Sequence, residues 1–398
     1  MNNRIAITGM GIVSAIGMNV EENYGSLMQK KHGISRVEFI KTKLKSSILV
    51  GEIKKSNQEL SHILGLDKGH NFSRTAMLGT IAAKEAVKDA GLSTESDMDC
   101  GFINATSVGG MDMTERYFYD FVENPEYRRF VETQCTGVNT QNISDYIKIS
   151  GLSTTISTAC SSAANAVIFG ARLIETGRLQ RVIVGGTDAL CKFTMNGFNT
   201  LMILSDNYIS PFDNNRKGLN LGEGAAYLVL ESKDSYIERG KEPLAFLSGY
   251  ANSNDAFHQT ASSEDGAGAF LAMKKALKLG HIDSKDIDYI NAHGTATPNN
   301  DLSEGRAISR VFNNEVPKFS STKPYTGHTL AAAASIEAVF SLLALKNQVI
   351  FPNLNFKEKM SEFNLTPVLE VEKVKMNTVL SNSFGFGGNC SALIFNKS

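Results

Sequence analysis

A cysteine lies where a strand-forming segment passes into a helix-forming one. Residues 154–156, Thr-Thr-Ile, favour a short strand, and small and apolar residues recur at helical spacing from 163 to 176, before the helix-stopping Gly177. The thiol of Cys160 is therefore expected at the first turn of a buried helix, where unpaired backbone N–H groups and the helix dipole stabilise a thiolate. This position predicts a nucleophile with a lowered thiol pKa. The alternative is a small apolar side chain buried at a helix start, which is the commoner role of a free cysteine.

Two histidines and a glycine turn supply groups that such a thiol could use. His293 directly follows the apolar segment 287–292, and His328 precedes an alanine-rich segment of helical pattern, 328–346. Residues 382–389 read Asn-Ser-Phe-Gly-Phe-Gly-Gly-Asn, a turn whose backbone can approach a ligand closely. A histidine after a strand is more often a hydrogen-bonded structural residue, so each stretch alone is a weak signal. A thiol together with imidazoles is a set that nucleophilic and acid–base catalysis use.

Strand-like and helix-like segments that could position these groups alternate along the whole chain. We expect strands at 4–8, 99–105, 154–156, 182–185, 225–230, 244–250, 287–292, 377–382 and 391–396. We expect helices at 21–29, 73–91, 163–176, 233–239, 267–279, 301–312 and 328–346. This alternation indicates an α/β fold with largely enclosed sheets, and the pattern restarts near residue 240.

Composition narrows the class of protein. The chain has 398 residues, 42% hydrophobic and 20% charged, which is ordinary for a globular protein with a sizeable core. Its net charge is -1, so no overall basic field indicates nucleic-acid binding. The five cysteines are odd in number and form no Cys-x-x-Cys pair, which fits a reducing compartment. No uninterrupted apolar run reaches the roughly 18–20 residues that cross a bilayer, and we expect a soluble cytoplasmic protein without a membrane partner.

The motifs, in this order, resemble the β-ketoacyl-acyl-carrier-protein synthases of thiolase fold, which are the condensing enzymes of fatty acid and polyketide assembly. The two-histidine elongating branch is the most similar. The resemblance runs over essentially the whole chain, from residues 5–9 through 211–213 and 222–225 to the glycine turn at 382–389.

The resemblance implies a fold, a partner and an activity. The fold is a duplicated, five-layered αβαβα arrangement, with an N-terminal half over 1–240 and a C-terminal half over 241–398, in a homodimer or a heterodimer with a related subunit. The partner is an acyl carrier protein, whose phosphopantetheine arm replaces any cofactor of the enzyme itself, and no metal is implied. The activity is condensation of an acyl group with malonyl-carrier, with loss of carbon dioxide.

The resemblance also carries roles onto matching residues. The catalytic set is Cys160 as the acylated nucleophile, His293 and His328 as its partners, Lys323 in the second-histidine loop, and Phe386 as a gate and oxyanion donor. The resemblance assigns substrate contacts to Thr295, Thr297, Phe384 and Glu337. Carrier docking falls to the basic pair Arg128 and Arg129, and to Lys68 and Arg74 in a second, more loosely matching segment.

Several departures concern the substrate rather than the chemistry. Pro324-Tyr325 follows the lysine where the family commonly has a serine and an apolar residue, alanines replace part of the glycine-rich run after His328, and the loop at 205–210 is shorter. The surroundings of Met111, where the family shapes its acyl pocket, also differ. The Lys-Pro-Tyr-Thr-Gly-His-Thr-Leu variant resembles synthases of aryl-polyene-type pathways, which are the alternative to fatty acid elongation.

Three other members of the fold are weaker interpretations. A non-catalytic chain-length-factor-like subunit would have lost the cysteine, and Cys160 is present. A degradative thiolase needs a second catalytic cysteine before a terminal glycine turn, whereas Cys390 follows that turn and is expected in a strand. The starter-condensing branch pairs a histidine with an asparagine, and the second position here is His328.

Overall fold

The computed structural model describes residues 5–93, 98–313 and 315–397; Arg4, expected in the first strand, lies outside them. The strands in this part of the chain are β1 Ile5–Ser14, β2 Ser35–Arg36, β3 Leu49–Gly51, β4 Gly101–Ala105, β5 Ser153–Ile156, β6 Arg181–Asp188, β7 Leu221–Gly222, β8 Gly224–Glu231, β9 Ala245–Asn254, β10 Tyr289–Asn291, β11 Lys318–Ser320, β12 Val349–Ile350, β13 Glu372–Lys373, β14 Thr378–Gly385 and β15 Asn389–Lys397. The helices are α1 Val20–Met28, α2 Asn57–Leu64, α3 Arg74–Asp89, α4 Met111–Tyr117, α5 Arg128–Val131, α6 Thr136–Tyr146, α7 Ser162–Glu175, α8 Lys192–Thr200, α9 Lys233–Glu238, α10 Ala267–Gly280, α11 Pro298–Val311, α12 Lys323–Thr326 and α13 Ala333–Asn347.

One continuous sheet has the strand order β11-β10-β14-β15-β9-β1-β8-β6-β4-β5. The antiparallel pairing of β1 with β9 joins two groups of five strands, one from residues 5–231 and one from 245–397, and the boundary expected near residue 240 falls between them. In the first group β1, β8 and β6 are antiparallel neighbours and β4 and β5 continue in parallel with β6. The second group repeats this with β9, β15, β14, β10 and β11. The fold is therefore duplicated.

Helices cover both faces of each strand group. Successive residues of β8 point to opposite faces: Tyr227 packs in the hydrophobic cluster that contains α3, and Leu228 packs in the cluster that contains α7 and α13. α7 and α13 contact each other between the groups, while α10 packs on β9 and β15. The layers follow the order helix, first strand group, helix, second strand group, helix, and this confirms the predicted thiolase-like α/β fold.

The central helix is apolar on every side because both strand groups flank it. Leu330–Asn347 is apolar and long enough to cross a membrane by length and composition, but 89% of it is buried inside the protein, as in a core helix. The helix expected from residue 328 begins later: a 3₁₀ turn, Leu330–Ala332, precedes α13, so His328 lies in a loop. Ser73 caps α3, its hydroxyl accepting a hydrogen bond from the N–H of Ala76 at 3.1 Å.

Candidate active site

A five-residue loop, 157–161, connects β5 to α7 and holds the cysteine. Ala159, directly before it, has φ of 52°, a left-handed conformation that costs free energy in a residue with a side chain. The hydroxyl of Ser162 stabilises this bend, donating to the carbonyl of Ala159 at 2.5 Å and accepting from the N–H of Thr158 at 2.8 Å. The bend places Cys160 just before the helix, 5% exposed.

The pKa of the thiol differs from the prediction made from the sequence. Burial raises the pKa of Cys160 to about 12, and the charge of Lys323 and the backbone N–H of Phe386 act in the opposite direction without offsetting it. The expected lowering is therefore wrong, because the helix start is buried and a thiolate there loses its hydration. Cys160 rests as a thiol.

The two histidines lie beside each other, with ring centroids 5.4 Å apart and planes at 86°. His293 follows β10, and its Nδ1 is 3.1 Å from the Nζ of Lys323, which also donates to the His293 carbonyl at 2.5 Å and pairs with Glu337. An ammonium group only donates, so the Nδ1 of His293 accepts and its Nε2 carries the proton. His328 is held by its backbone, since its N–H donates to the carbonyl of Asn220 at 2.7 Å.

Both imidazoles are neutral at physiological pH. Burial, then the charge of Lys323 and then His328, lower the pKa of His293 well below its ordinary value, and burial followed by Lys323 does the same for the pKa of His328. His328 lies in a loop before α13, so burial rather than a helix start is the main cause of its low pKa. Burial also raises the pKa of Glu337 to about 7, against the charge of Lys323.

A cavity of about 220 Å³ brings the separate motifs together. Its lining includes Cys160, His293, His328, Thr295, Thr297, Phe384 and Phe386, all predicted from the sequence. The ring of Phe386 stacks on that of Phe198 from α8, with centroids 5.8 Å apart and planes at 17°. Lys323 and Glu337, the second of which was expected to contact substrate, are not part of this lining; Glu337 pairs with Lys323, which contacts His293. The site can thus present one thiol and two neutral N–H donors to the same bound group.

Family comparison agrees with this geometry. Residues 2–235 match the family described as "Beta-ketoacyl synthase, N-terminal domain" and residues 244–357 match "Beta-ketoacyl synthase, C-terminal domain". The chain belongs to the β-ketoacyl synthase family. It is 34% identical over 410 residues to 3-oxoacyl-[acyl-carrier-protein] synthase 2 of Staphylococcus aureus (strain COL), covering 100% of this chain and 99% of that protein.

Two solved structures of ketosynthases share the fold over the full length of this family member. The ishigamide ketosynthase/chain length factor matches with a TM-score of 0.92 and 27% identity, covering 100% of both chains. A type II polyketide ketosynthase in complex with its acyl-carrier protein, AntDE:AntF, matches with a TM-score of 0.88 and 25% identity, again over 100% of both chains. The resemblance found in the sequence is confirmed.

Three of the residues expected to dock a carrier protein lie on the surface of this β-ketoacyl synthase. Lys68, Arg128 and Arg129 are exposed, and the Arg128 side chain, 75% exposed, pairs with Glu132 one helical turn away at 2.8 Å. A Cβ atom added to Gly69, the neighbour of Lys68, would lie 3.5 Å from Nη2 of Arg129. The two predicted segments therefore meet on one surface.

For Arg74, the fourth residue expected to dock a carrier protein, the structure corrects the prediction. Arg74 is only 5% exposed, and its Nε and Nη2 donate to both carboxylate oxygens of Glu223, at 2.8 and 2.6 Å. The remaining guanidinium donors bind the carbonyls of Ile53 and Lys55 and the side chain of Asn57. Every donor is used inside the protein, so the charge of Arg74 is structural and does not reach a partner.

Sequence reasoning missed two buried carboxylates that hold the site's loops. Glu304 accepts from the N–H groups of His293 and Gly294, at 2.9 and 2.8 Å, and burial raises the pKa of Glu304 to about 7. Asp188, at the end of β6, accepts from the N–H of Ala331 at 2.9 Å and from Ser107. Glu304 could have been found, because it follows Asp301 by three residues on the inward face of a helix.

Proposed function

We propose that this synthase condenses an acyl group, held as a thioester on Cys160, with a malonyl group on an acyl carrier protein. The observation that carries the proposal is the shared cavity, in which one thiol faces two neutral imidazoles and the backbone N–H of Phe386. The related synthase is named for this reaction. A buried thiol and metal-free donors suit thioester chemistry, because that chemistry needs a nucleophile and stabilisation of an oxyanion.

Acyl transfer is the first step. The sulfur of Cys160 forms a bond to the carbonyl carbon of the incoming thioester, and the oxyanion is held by the backbone N–H groups of Cys160 and Phe386. The carbon–sulfur bond to the carrier then breaks. Because Cys160 rests as a thiol, its proton leaves as the new bond forms and ends on the sulfur of the departing carrier, which leaves as a thiol.

Condensation is the second step. The bond between the malonyl α-carbon and its carboxylate breaks, carbon dioxide leaves, and the electron pair passes to an enolate whose oxygen accepts hydrogen bonds from His293 and His328. The α-carbon then attacks the acyl carbonyl on Cys160, and the cysteine sulfur leaves as a thiolate, which takes up one proton from solvent. Lys323 fixes the donor tautomer of His293, and its charge adds to burial in lowering the pKa of both rings, which keeps them neutral.

The cavity mouth suits a pantetheine arm. The hydroxyls of Thr295 and Thr297 lie 2.9 Å apart on its wall and offer donors and acceptors to the arm's amides. We infer that the arm belongs to a separate acyl carrier protein and not to this chain. The proposed steps need no other cofactor. We infer also that the chain works in the cytoplasm, because its free cysteines, Cys160 among them, need a reducing compartment.

A dimer also fits the architecture. β5 forms one end of the ten-stranded sheet and its residues are only half-buried, which leaves a strand edge that a second copy or a related subunit can pair with. Light scattering of the purified chain alone distinguishes a homodimer from a protomer that waits for a different subunit.

Mass spectrometry tests the function directly. Incubation with an acyl-carrier thioester should add the acyl mass to the peptide that contains Cys160, and malonyl-carrier should then give a β-ketoacyl-carrier product with carbon dioxide. Acylation of Cys100, Cys135, Cys191 or Cys390 instead would refute the assignment.

A specialised polyketide or polyene pathway is the second candidate. The ishigamide ketosynthase/chain length factor, at a TM-score of 0.92, favours it, together with Pro324 and the buried Tyr325 in the histidine loop. Condensation rates with a saturated acyl-carrier and with a conjugated polyenoyl-carrier of the same length decide between the two. A preference for the saturated chain supports fatty acid elongation, and a preference for the polyene supports the specialised pathway.

A further inference from the structure

Asn389 joins the cysteine loop to the glycine turn. Its side-chain oxygen, Oδ1, accepts a hydrogen bond from Nδ2 of Asn165 at 2.8 Å. The hydroxyl of Ser161 shares its one proton between this oxygen and the carbonyl of Thr158, each at 2.8 Å. Ser161 directly follows the nucleophile, and Asn165 lies in the first turn of α7. One oxygen atom thus links segments that are 228 and 224 residues apart in the chain.

The linked segments carry the two backbone N–H groups that the proposed function assigns to the oxyanion. Cys160 lies in the loop before α7, and Phe386 begins a distorted 3₁₀ turn, Phe386–Gly388. On one side Ala159 is left-handed, and on the other Gly387 and Gly388 have φ of 80° and 79°. The segments touch closely, since a Cβ added to Gly385 would lie 2.8 Å from the carbonyl oxygen of Thr158. Contacts between the two loops therefore determine the distance between the donors.

The amide of Asn165 is oriented so that it can serve this link. Its Nδ2 has two protons, and it donates one to Asn389 and the other to the hydroxyl of Thr158 at 2.8 Å. Its Oδ1 accepts from Nδ2 of Asn252 at 3.1 Å and from the hydroxyl of Ser391 at 3.3 Å. These partners leave the amide a single orientation, with its donors towards the active-site loops.

We propose that Asn389 is a positioning residue for the oxyanion site, holding the N–H groups of Cys160 and Phe386 at the separation that acyl transfer needs. The inference rests on the proposed function. It predicts an effect on one half-reaction only, because the histidines that serve decarboxylation are held by other groups, namely Glu304, Lys323 and the backbone of Asn220. A displacement of about 1 Å in a reacting geometry can cost on the order of 10²-fold in rate.

The experiment compares the two half-reactions in Asn389→Ala. Acylation of Cys160 at saturating acyl thioester, followed by mass spectrometry, should slow by about 10- to 100-fold. Release of carbon dioxide from malonyl-carrier by the same unacylated enzyme should stay within about twofold of the native rate. The melting temperature shows whether the variant is folded. If Asn389→Ala does not fold, Ser161→Ala, which removes one of the two bonds, carries the same test.

Ser391→Ala is the matched control, since it removes a hydroxyl bond to Asn165 but leaves the link to Asn389 intact; it should acylate at the native rate. In the double variant Ser161→Ala with Asn389→Ala, the acylation rate should fall by less than the product of the two single-variant factors. Both substitutions remove the same bond, the one between Ser161 and Asn389. Native acylation in a folded Asn389→Ala variant, or an equal fall in both half-reactions, would overturn the inference. Absence of acylation in the native chain would instead refute the proposed function.

Discussion

β5 and β11 occupy the same place in the two strand groups, yet the loops that follow them provide different chemistry. After β5 the chain reaches α7 within five residues, 157–161, whereas after β11 it takes twelve, 321–332, to reach α13. In both loops a residue of positive φ comes directly before the functional side chain: Ala159 at 52° before Cys160, and Gly327 at 75° before His328.

The difference in loop length determines what surrounds each functional group. The short loop leaves the thiol with backbone N–H donors and no charged group of its own. The long loop has room for α12, whose Lys323 reaches His293 on the neighbouring strand's loop. One duplicated scaffold therefore provides a site for making an acyl-enzyme in one half and a site for stabilising an enolate in the other.

Removal of the nucleophile should separate the activities of the two halves most completely. We expect Cys160→Ala to abolish condensation, because no acyl-enzyme can form, while decarboxylation of malonyl-carrier by the histidine half persists. Product chromatography and carbon dioxide release measure the two activities. Cys135→Ala, which removes an exposed thiol, is the control and should keep both. Condensation by Cys160→Ala at any appreciable rate would contradict the assignment.

Removal of either histidine should have the opposite signature. His293→Ala and His328→Ala each delete one donor to the enolate oxygen, which typically costs about 10²- to 10³-fold. Carbon dioxide release from malonyl-carrier should fall by this amount, and acylation of Cys160 should fall less because its oxyanion is held by backbone groups. His62→Ala, on the exposed end of α2, is the control. Native carbon dioxide release in either variant would exclude the paired-donor role.

The sequence predicted the parts of this comparison that depend on local pattern. Hydrophobic periodicity located nine of the ten strands of the large sheet and the long helices α3, α7, α10, α11 and α13, but not β11, α2, α6 or α8. Motif order placed Cys160 and the histidines in one site. It could not give the thiol pKa, because a position at a helix start says nothing of how deeply that start is buried. It could not show that Arg74 is internal, because Glu223, its partner, is 149 residues away in the chain. The spacing of Glu304 from Asp301 could have indicated an inward-facing carboxylate, but not its partners, which are two backbone N–H groups of the His293 loop and the side chain of Asn382.

A change in the charge behind the histidines should sharpen the contrast through pH. Burial and then the charge of Lys323 lower the pKa of both imidazoles, so Lys323→Met should raise these pKa values part of the way towards their ordinary range. The rings donate in their neutral form, which exists above the pKa, so the acid limb of the decarboxylation profile should move to higher pH. Lys318→Met, which removes an exposed lysine, should leave the profile in place. An unmoved acid limb in Lys323→Met would show that burial alone keeps the rings neutral.

The smallest effect should come from the surface, where the halves also differ. Lys68, Arg128 and Arg129 all belong to the N-terminal half, and acyl carrier proteins are acidic, so local positive charge should speed association in a salt-dependent way. We expect Arg128→Glu with Arg129→Glu to lower kcat/KM for an acyl-carrier substrate by about tenfold at low salt and less at high salt. The same variant should react normally with a small acyl thioester, because the cavity is untouched.

The C-terminal half offers a matched control for this surface. Arg306 and Arg310 on α11 are also partly exposed and pair with acidic neighbours, Glu264 and Asp265. Arg306→Glu with Arg310→Glu makes the same change in net charge, so overall charge repulsion would slow both double variants alike. A loss confined to the Arg128 and Arg129 variant locates the carrier on the N-terminal surface. Equal losses in both variants would show that the effect comes from net charge. A loss with the small thioester as well would show that the Arg128 and Arg129 variant is misfolded.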